Sequence, residues 1–177
     1  MDIIDLIKLK LAVLTVLAHI FIVLALLYFL FFRKKDTKVQ NFIGKYGILF
    51  SFIVALTATL GSLFYSEIAG FAPCVLCWYQ RIFMYPEVVL LGIALFKKDK
   101  AIIDYSLALS IIGTVLAGYH YLMQLGVVSS LPCTAVGYSV SCVKLFVMQF
   151  GYITIPLMSL TAFVLIVIFL VFAKRKQ

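Results

Sequence analysis

Charge is scarce in this chain. Only 12% of its 177 residues are Asp, Glu, Lys or Arg, against about a quarter in an ordinary soluble domain. Acidic residues number seven, prolines four and tryptophan one. No Ser-, Gly- or Pro-rich linker, internal repeat or low-complexity tail interrupts it. The lack of polar residues excludes a disordered chain. It also argues against a soluble domain, because 65% of the residues are apolar and small folds leave much of their surface in solvent. A mean hydropathy of +1.17 reads instead as a multi-span membrane protein.

Five apolar runs are present, at residues 11–32, 46–66, 78–96, 102–125 and 151–172. Each has about twenty residues, enough for a helix to cross a hydrocarbon core of roughly 30 Å. None alternates with the period of a barrel strand. Backbone groups in lipid must be paired within their own segment, so the spans are expected to be helical. The sequence predicts one all-α membrane domain with five spans.

Orientation follows from the basic residues. The first connection holds Arg33, Lys34, Lys35, Lys38 and Lys45, the third holds Lys97, Lys98 and Lys100, and the tail holds Lys174, Arg175 and Lys176. All three regions fall on one side of a five-span chain. That side is predicted to be cytoplasmic, with the N-terminus outside and the C-terminus inside. The net charge of +8 then reads as a topology signal rather than a nucleic-acid footprint. The first run is expected to be a retained span. It is too long for the apolar region of a secretory signal, and no small-residue cleavage site follows it.

Four cysteines remain, Cys74, Cys77, Cys133 and Cys142. All fall in the predicted outer connections, the compartment where disulfides persist. Pro73-Cys74-Val75-Leu76-Cys77-Trp78 is a C-x-x-C at a helix start, with Pro73 favouring initiation. First-turn sulfurs face unpaired N–H groups and the positive helix end, which favours the thiolate. Arg81 lies one turn beyond Cys77 on the same face, adding a fixed cation. Two structural disulfides would also place cysteines outside, but a C-x-x-C loop closes too little chain to stabilise much. A zinc site usually has short spacing in both halves, and Cys133 to Cys142 does not. Thiol redox chemistry without a metal is the expected use.

The runs Gly61-Ser62-Leu63-Phe64-Tyr65-Ser66-Glu67 and Pro73-Cys74-Val75-Leu76-Cys77-Trp78-Tyr79-Gln80-Arg81-Ile82-Phe83-Met84-Tyr85-Pro86 resemble the disulfide bond formation protein B (DsbB) family, in particular its BdbC-type branch. Tyr119-His120-Tyr121, Pro132-Cys133 and Phe150-Gly151-Tyr152-Ile153-Thr154-Ile155-Pro156 support the likeness. The resemblance covers about residues 46–172. It implies a four-helix transmembrane bundle at 46–172, preceded by an extra N-terminal helix and basic loop at 1–45 and followed by a basic tail at 173–177. It implies reoxidation of an extracytoplasmic thioredoxin-like thiol oxidase, DsbA- or BdbD-like, at the cell (cytoplasmic) membrane. Electrons would pass to a membrane quinone, ubiquinone or menaquinone. By position, Cys133 would form the mixed disulfide with the partner, and Cys142 would resolve it. Cys74 and Cys77 would take the electrons, with Cys77 nearest the quinone and Arg81 holding a ring oxygen. His120 would lie near the quinone as a donor or proton relay. The family usually has four spans and a longer second outer loop.

Other polar residues have plainer expectations. His19 is mid-span and should pack against a polar neighbour. Glu87 is expensive in hydrocarbon and lies on a different face from Arg81, so it should be protonated or paired with another helix. Gln80 and Gln124 are candidates to bond a quinone oxygen. Gly61, Gly113 and Gly118 should allow close helix packing. Two rival functions exist. A vitamin-K-epoxide-reductase-like protein would carry its spaced cysteine pair before the C-x-x-C, the reverse of the order here. A non-enzymatic membrane protein would use the four cysteines to bind metal.

Overall fold

The computed structural model describes residues 3–32, 38–97, 99–128 and 140–175. Five helices carry the chain: α1 (Ile3–Phe32), α2 (Lys38–Leu63), α3 (Val75–Lys97), α4 (Ile102–Gln124) and α5 (Ile155–Lys174). All five are long and apolar enough to cross a membrane. Among the described residues the only β-type pairing is one isolated bridge, between Gln149 and Ile153.

Helix ends depart from the apolar runs for local reasons. α1 and α2 begin about two turns early, because intrahelical bonds continue past the edge of the apolar run. Asp5 and Lys8 pair at 3.1 Å on that early stretch of α1. α2 closes in a π-helical turn, Phe64–Ile68, where the Ala69 N–H reaches the Phe64 carbonyl at 2.9 Å. α4 ends as expected, with Gly126 at φ 72° supplying the left-handed residue that stops a helix. α5 starts later than residue 151. Phe150 and Gly151 have positive φ, and Gln149 and Ile153 exchange both backbone hydrogen bonds at 2.9 Å. That tight turn cannot be helical, so the helix begins at Ile155 with Pro156 in its first turn.

α2, α3, α4 and α5 form a ring of neighbours, and α1 packs outside it, closely against α5 alone. Phe163, Ile166 and Leu170 of α5 fill the centre with Ala55, Met84, Leu91 and Ala117. α2 reaches α5 at Gly47, where an added Cβ would stand 2.5 Å from the Phe169 carbonyl oxygen. Gly113 faces the Phe163 ring so closely that a methyl would collide with it. Gly61 and Gly118 have ordinary room.

The helices also define two ends. Cys74 and Cys142 lie at one, with Lys8 of α1 over the Phe71 ring at 5.3 Å. At the other, Lys174 pairs with Asp104 at 2.6 Å, and Arg175 sits over Phe29 of α1 at 4.4 Å. α1 therefore runs parallel to α5. Arg33, Lys34, Lys35, Lys98 and Lys176 lie outside the described residues.

Polar side chains within the bundle are mostly paired between helices. Glu87 is fully buried and accepts a hydrogen bond from Ser110 of α4 at 2.8 Å. His19 meets Thr161 of α5 at 2.8 Å. α3 continues across Pro86. Replacing Gly47 with Ala forces α2 and α5 apart against backbone. Gly47→Ala should cost about 1–3 kcal/mol, read as an earlier midpoint in detergent-titrated unfolding.

Candidate active site

Pro73 precedes Cys74, and α3 starts at Val75. The Trp78 N–H bonds to the Cys74 carbonyl at 3.0 Å, and the Cys77 N–H donates to Cys74 Sγ at 3.4 Å. Cys74 thus occupies the capping position, where a side-chain acceptor meets the first free amides. The two sulfurs lie 2.9 Å apart and share a hydrogen bond. Cys74 is buried and Cys77 half-buried. The hydrogen bond to Cys77, with burial added, pushes the Cys74 thiol up to about 12. This corrects the expectation of a favoured thiolate at both sulfurs: Cys74 is the proton holder of the pair.

His120 joins this pair to the second cysteine loop. Gln80 Nε2 donates to His120 Nδ1 at 2.9 Å. Nδ1 is then the acceptor, and Nε2 carries the proton. Nε2–H points at the Cys142 carbonyl at 3.0 Å and at Cys74 Sγ at 3.7 Å. Gln80, His120 and Cys142 are all buried. Cys133 lies outside the described residues.

Arg81 is tied to α2 through Ser62. Its Nε donates to Ser62 Oγ at 2.9 Å, and Nη2 donates to the Ser62 carbonyl at 3.0 Å. The guanidinium lies 5.1 Å from the Trp78 ring and 6.0 Å from Tyr85, whose hydroxyl donates to Ser62 Oγ at 3.3 Å. Trp78 remains largely exposed. Cys74, Cys77, Gln80, Arg81, His120 and Cys142 all line one cavity of about 460 Å³ that runs down between α1, α2 and α5. That volume lies in the range of small-molecule sites.

The sequence profile described as "Disulfide bond formation protein DsbB" matches residues 45–173. The chain belongs to the DsbB family. "Disulfide bond formation protein C" of Bacillus subtilis (strain 168) is 48% identical over 129 residues, covering 72% of this chain and 91% of that one. "SPbeta prophage-derived disulfide bond formation protein B" of the same organism is 50% identical over 118 residues, covering 67% and 78%. "Probable disulfide formation protein" of Metapseudomonas resinovorans is 41% identical over 131 residues, covering 73% and 90%. No solved structure matches. As a DsbB family member the chain is a multi-pass membrane thiol-disulfide oxidoreductase, and disulfide formation implies a thiol oxidase partner.

Two contacts of this DsbB-family site escape a reading of the sequence. Gln80 Nε2 binds His120, and Ser62 sets the guanidinium. Both residues sit inside the motifs quoted above, but their partners are 40 and 19 positions away. Gln124 donates to the Lys144 carbonyl at 3.4 Å, while its buried Oε1 has no hydrogen-bond partner among the described residues.

The proton-holding role of Cys74 has a chemical signature. In the reduced protein, alkylation should mark Cys77 before Cys74. The Cys74 rate should keep rising well above pH 9 instead of levelling there, as followed residue by residue with mass spectrometry. A plateau near pH 9 at Cys74 would contradict the assignment.

Proposed function

We propose that the chain oxidises an extracytoplasmic thioredoxin-like thiol oxidase, DsbA- or BdbD-like, and delivers the electrons to a membrane quinone. The observation that carries this reading is the shared cavity. It places both sulfurs of the C-x-x-C, the imidazole, the Cys142 carbonyl and a guanidinium around one apolar opening.

The residues fit a quinone. The cavity is walled mainly by apolar side chains, as a lipid-soluble ring and tail require. Arg81 presents a cation to a ring oxygen, and the unpartnered Gln124 Oε1 can accept from a quinol hydroxyl. A bound quinone supplies the acceptor for two electrons and two protons as Cys74 and Cys77 close to a disulfide.

The protein's own residues do the rest. A partner thiolate attacks Cys133 of the Cys133–Cys142 disulfide, forming the mixed disulfide at Cys133 and releasing Cys142 as thiolate; the partner's second cysteine then closes the partner's own disulfide and frees Cys133. The Cys133–Cys142 disulfide is reduced in the process, and the C-x-x-C then reoxidises it by thiol–disulfide exchange. Cys77, half-buried on the cavity wall, is the sulfur facing the acceptor. Arg81 sets a fixed cation on the same helix face, one turn beyond it. His120 holds the Cys142 backbone beside Cys74, keeping the two pairs in register for exchange.

This reading places the cysteine end outside the cytoplasmic membrane and the basic end inside, with the N-terminus outside. Residues 46–172 form the redox bundle, 1–45 the added helix and loop, and 173–177 the tail. Ubiquinone and menaquinone are both candidates. The vitamin-K-epoxide-reductase-like reading is disfavoured by the cysteine order. A metal centre has one observation in its favour: Cys74 Sγ, Cys77 Sγ and a His120 ring nitrogen lie within 4.8 Å of one another.

Anaerobic mixing of reduced partner, protein and candidate quinones tests the proposal, with quinone absorbance as the signal. Cys77→Ser should abolish quinone reduction. Arg81→Ala should raise KM about ten- to a hundredfold, the loss of one charged hydrogen bond. Bound zinc without thiol–quinone activity would favour the metal reading. A partner-trapping assay tests the division between cysteines. With a partner whose second active-site cysteine is serine, the mixed disulfide through Cys133 should accumulate on a non-reducing gel, and Cys133→Ser should accumulate none.

A further inference from the structure

α1 lies outside residues 45–173, the stretch matched to the family, so its role has to be read from its own contacts. Its side chains form two buried stripes, yet it packs closely on only one helix. The first stripe is Ala12, Val16 and His19. Ala12 and Val16 pack with Ile153 and Leu157, and His19 reaches Thr161. This stripe is fully used by α5 and the turn before it. The second stripe is Leu11, Thr15, Ala18 and Phe21, at helical spacing along the adjacent face. At its ends it meets α2 and α5, where Leu11 comes near Gly61 and Phe21 near Phe169. It faces the cavity, together with Leu14 and Leu17.

Opposite this stripe, α2 presents Ile53, Val54, Thr57, Ala58 and Gly61. Small residues recur on both walls, at Thr15 and Ala18 on one side and Ala58 and Gly61 on the other. Their short side chains leave room between the two walls. Phe21 lies 5.4 Å from Phe169, narrowing the far end. The cavity is continuous from this groove to Cys77 and Arg81. From Leu11 to Phe21 the α1 wall is about 15 Å long, at 1.5 Å per residue. A long, narrow, apolar groove leading away from a redox centre, within the span of a membrane, suits a linear hydrocarbon chain attached to the reacting group.

We infer that α1 is the outer wall of the tail subsite, holding the isoprenoid chain of the quinone between its Leu11–Thr15–Ala18–Phe21 stripe and α2. This rests on the quinone reading above and adds a role for the helix outside the matched family region. The helix would set affinity for the tail without touching the ring. Ala18 is the position where bulk fills the groove. Leu24, exposed on α1 and away from the cavity, is the control.

The test is binding to the full chain in nanodiscs, using a menaquinone with an isoprenoid tail and menadione, which has the same ring and no tail. Trp78 is the only tryptophan, and it lies beside Arg81, so quenching of its fluorescence reports occupancy. Quinone extracted from the purified protein gives a second measure. Ala18→Phe should weaken the tailed quinone about tenfold, equivalent to losing roughly two buried methylenes. It should leave menadione unchanged and lower the co-purified quinone. Leu24→Phe should change none of these. If Ala18→Phe weakens both ligands equally, or neither, α1 is not the tail wall, although the ring site stands. If the unaltered protein binds neither ligand, the quinone reading fails and this inference fails with it.

Discussion

A polar group in hydrocarbon has no water to turn to, and that constraint shapes the whole molecule. It makes every span a helix. It leaves Lys174 to meet Asp104 at one end of the bundle. It accounts for the pairs between helices, with Glu87 reaching Ser110, His19 reaching Thr161, and Arg81 reaching two atoms of Ser62. The same constraint suits sulfur chemistry to the helix start. There Cys74 can use the free amides of the first turn, and a cavity runs from it between α1, α2 and α5.

Much of this was legible in the sequence, and the failures have physical causes. The five spans follow from apolar length alone. α4 was bounded correctly because charged residues precede it and Gly126 follows. α5 starts later than its apolar run, because hydropathy carries no mark for the positive φ of Phe150 and Gly151. Glu87 and Arg81, six positions apart, do point to different partners, as helical geometry requires. The partner of Glu87 was not legible, because Ser110 belongs to another helix and its register is set by packing. Gln80 shows the same limit at the site. Its polarity near the cysteines was visible, but its bond to His120 depends on how α3 and α4 meet.

The site divides its tasks by depth. Cys74, Gln80 and His120 are buried and mutually bonded, so they form a fixed frame. Cys77 and Arg81 stand at the edge of that frame, partly open to the cavity. A rigid part and an accessible part side by side are what dithiol exchange needs. One sulfur is to be positioned, and the other is to react.

The Gln80–His120 bond has a consequence for proton traffic. A neutral imidazole has one nitrogen with a proton and one without. Gln80 occupies the bare nitrogen, so the face turned to the sulfurs is already full. The ring can lend a hydrogen bond to Cys74 and to the Cys142 carbonyl, but in this tautomer it has no vacancy to take up what a thiol releases. It behaves as a rectifier: polarity flows from the ring toward sulfur and not back. The side left open to a departing proton is then the cavity that Cys77 lines.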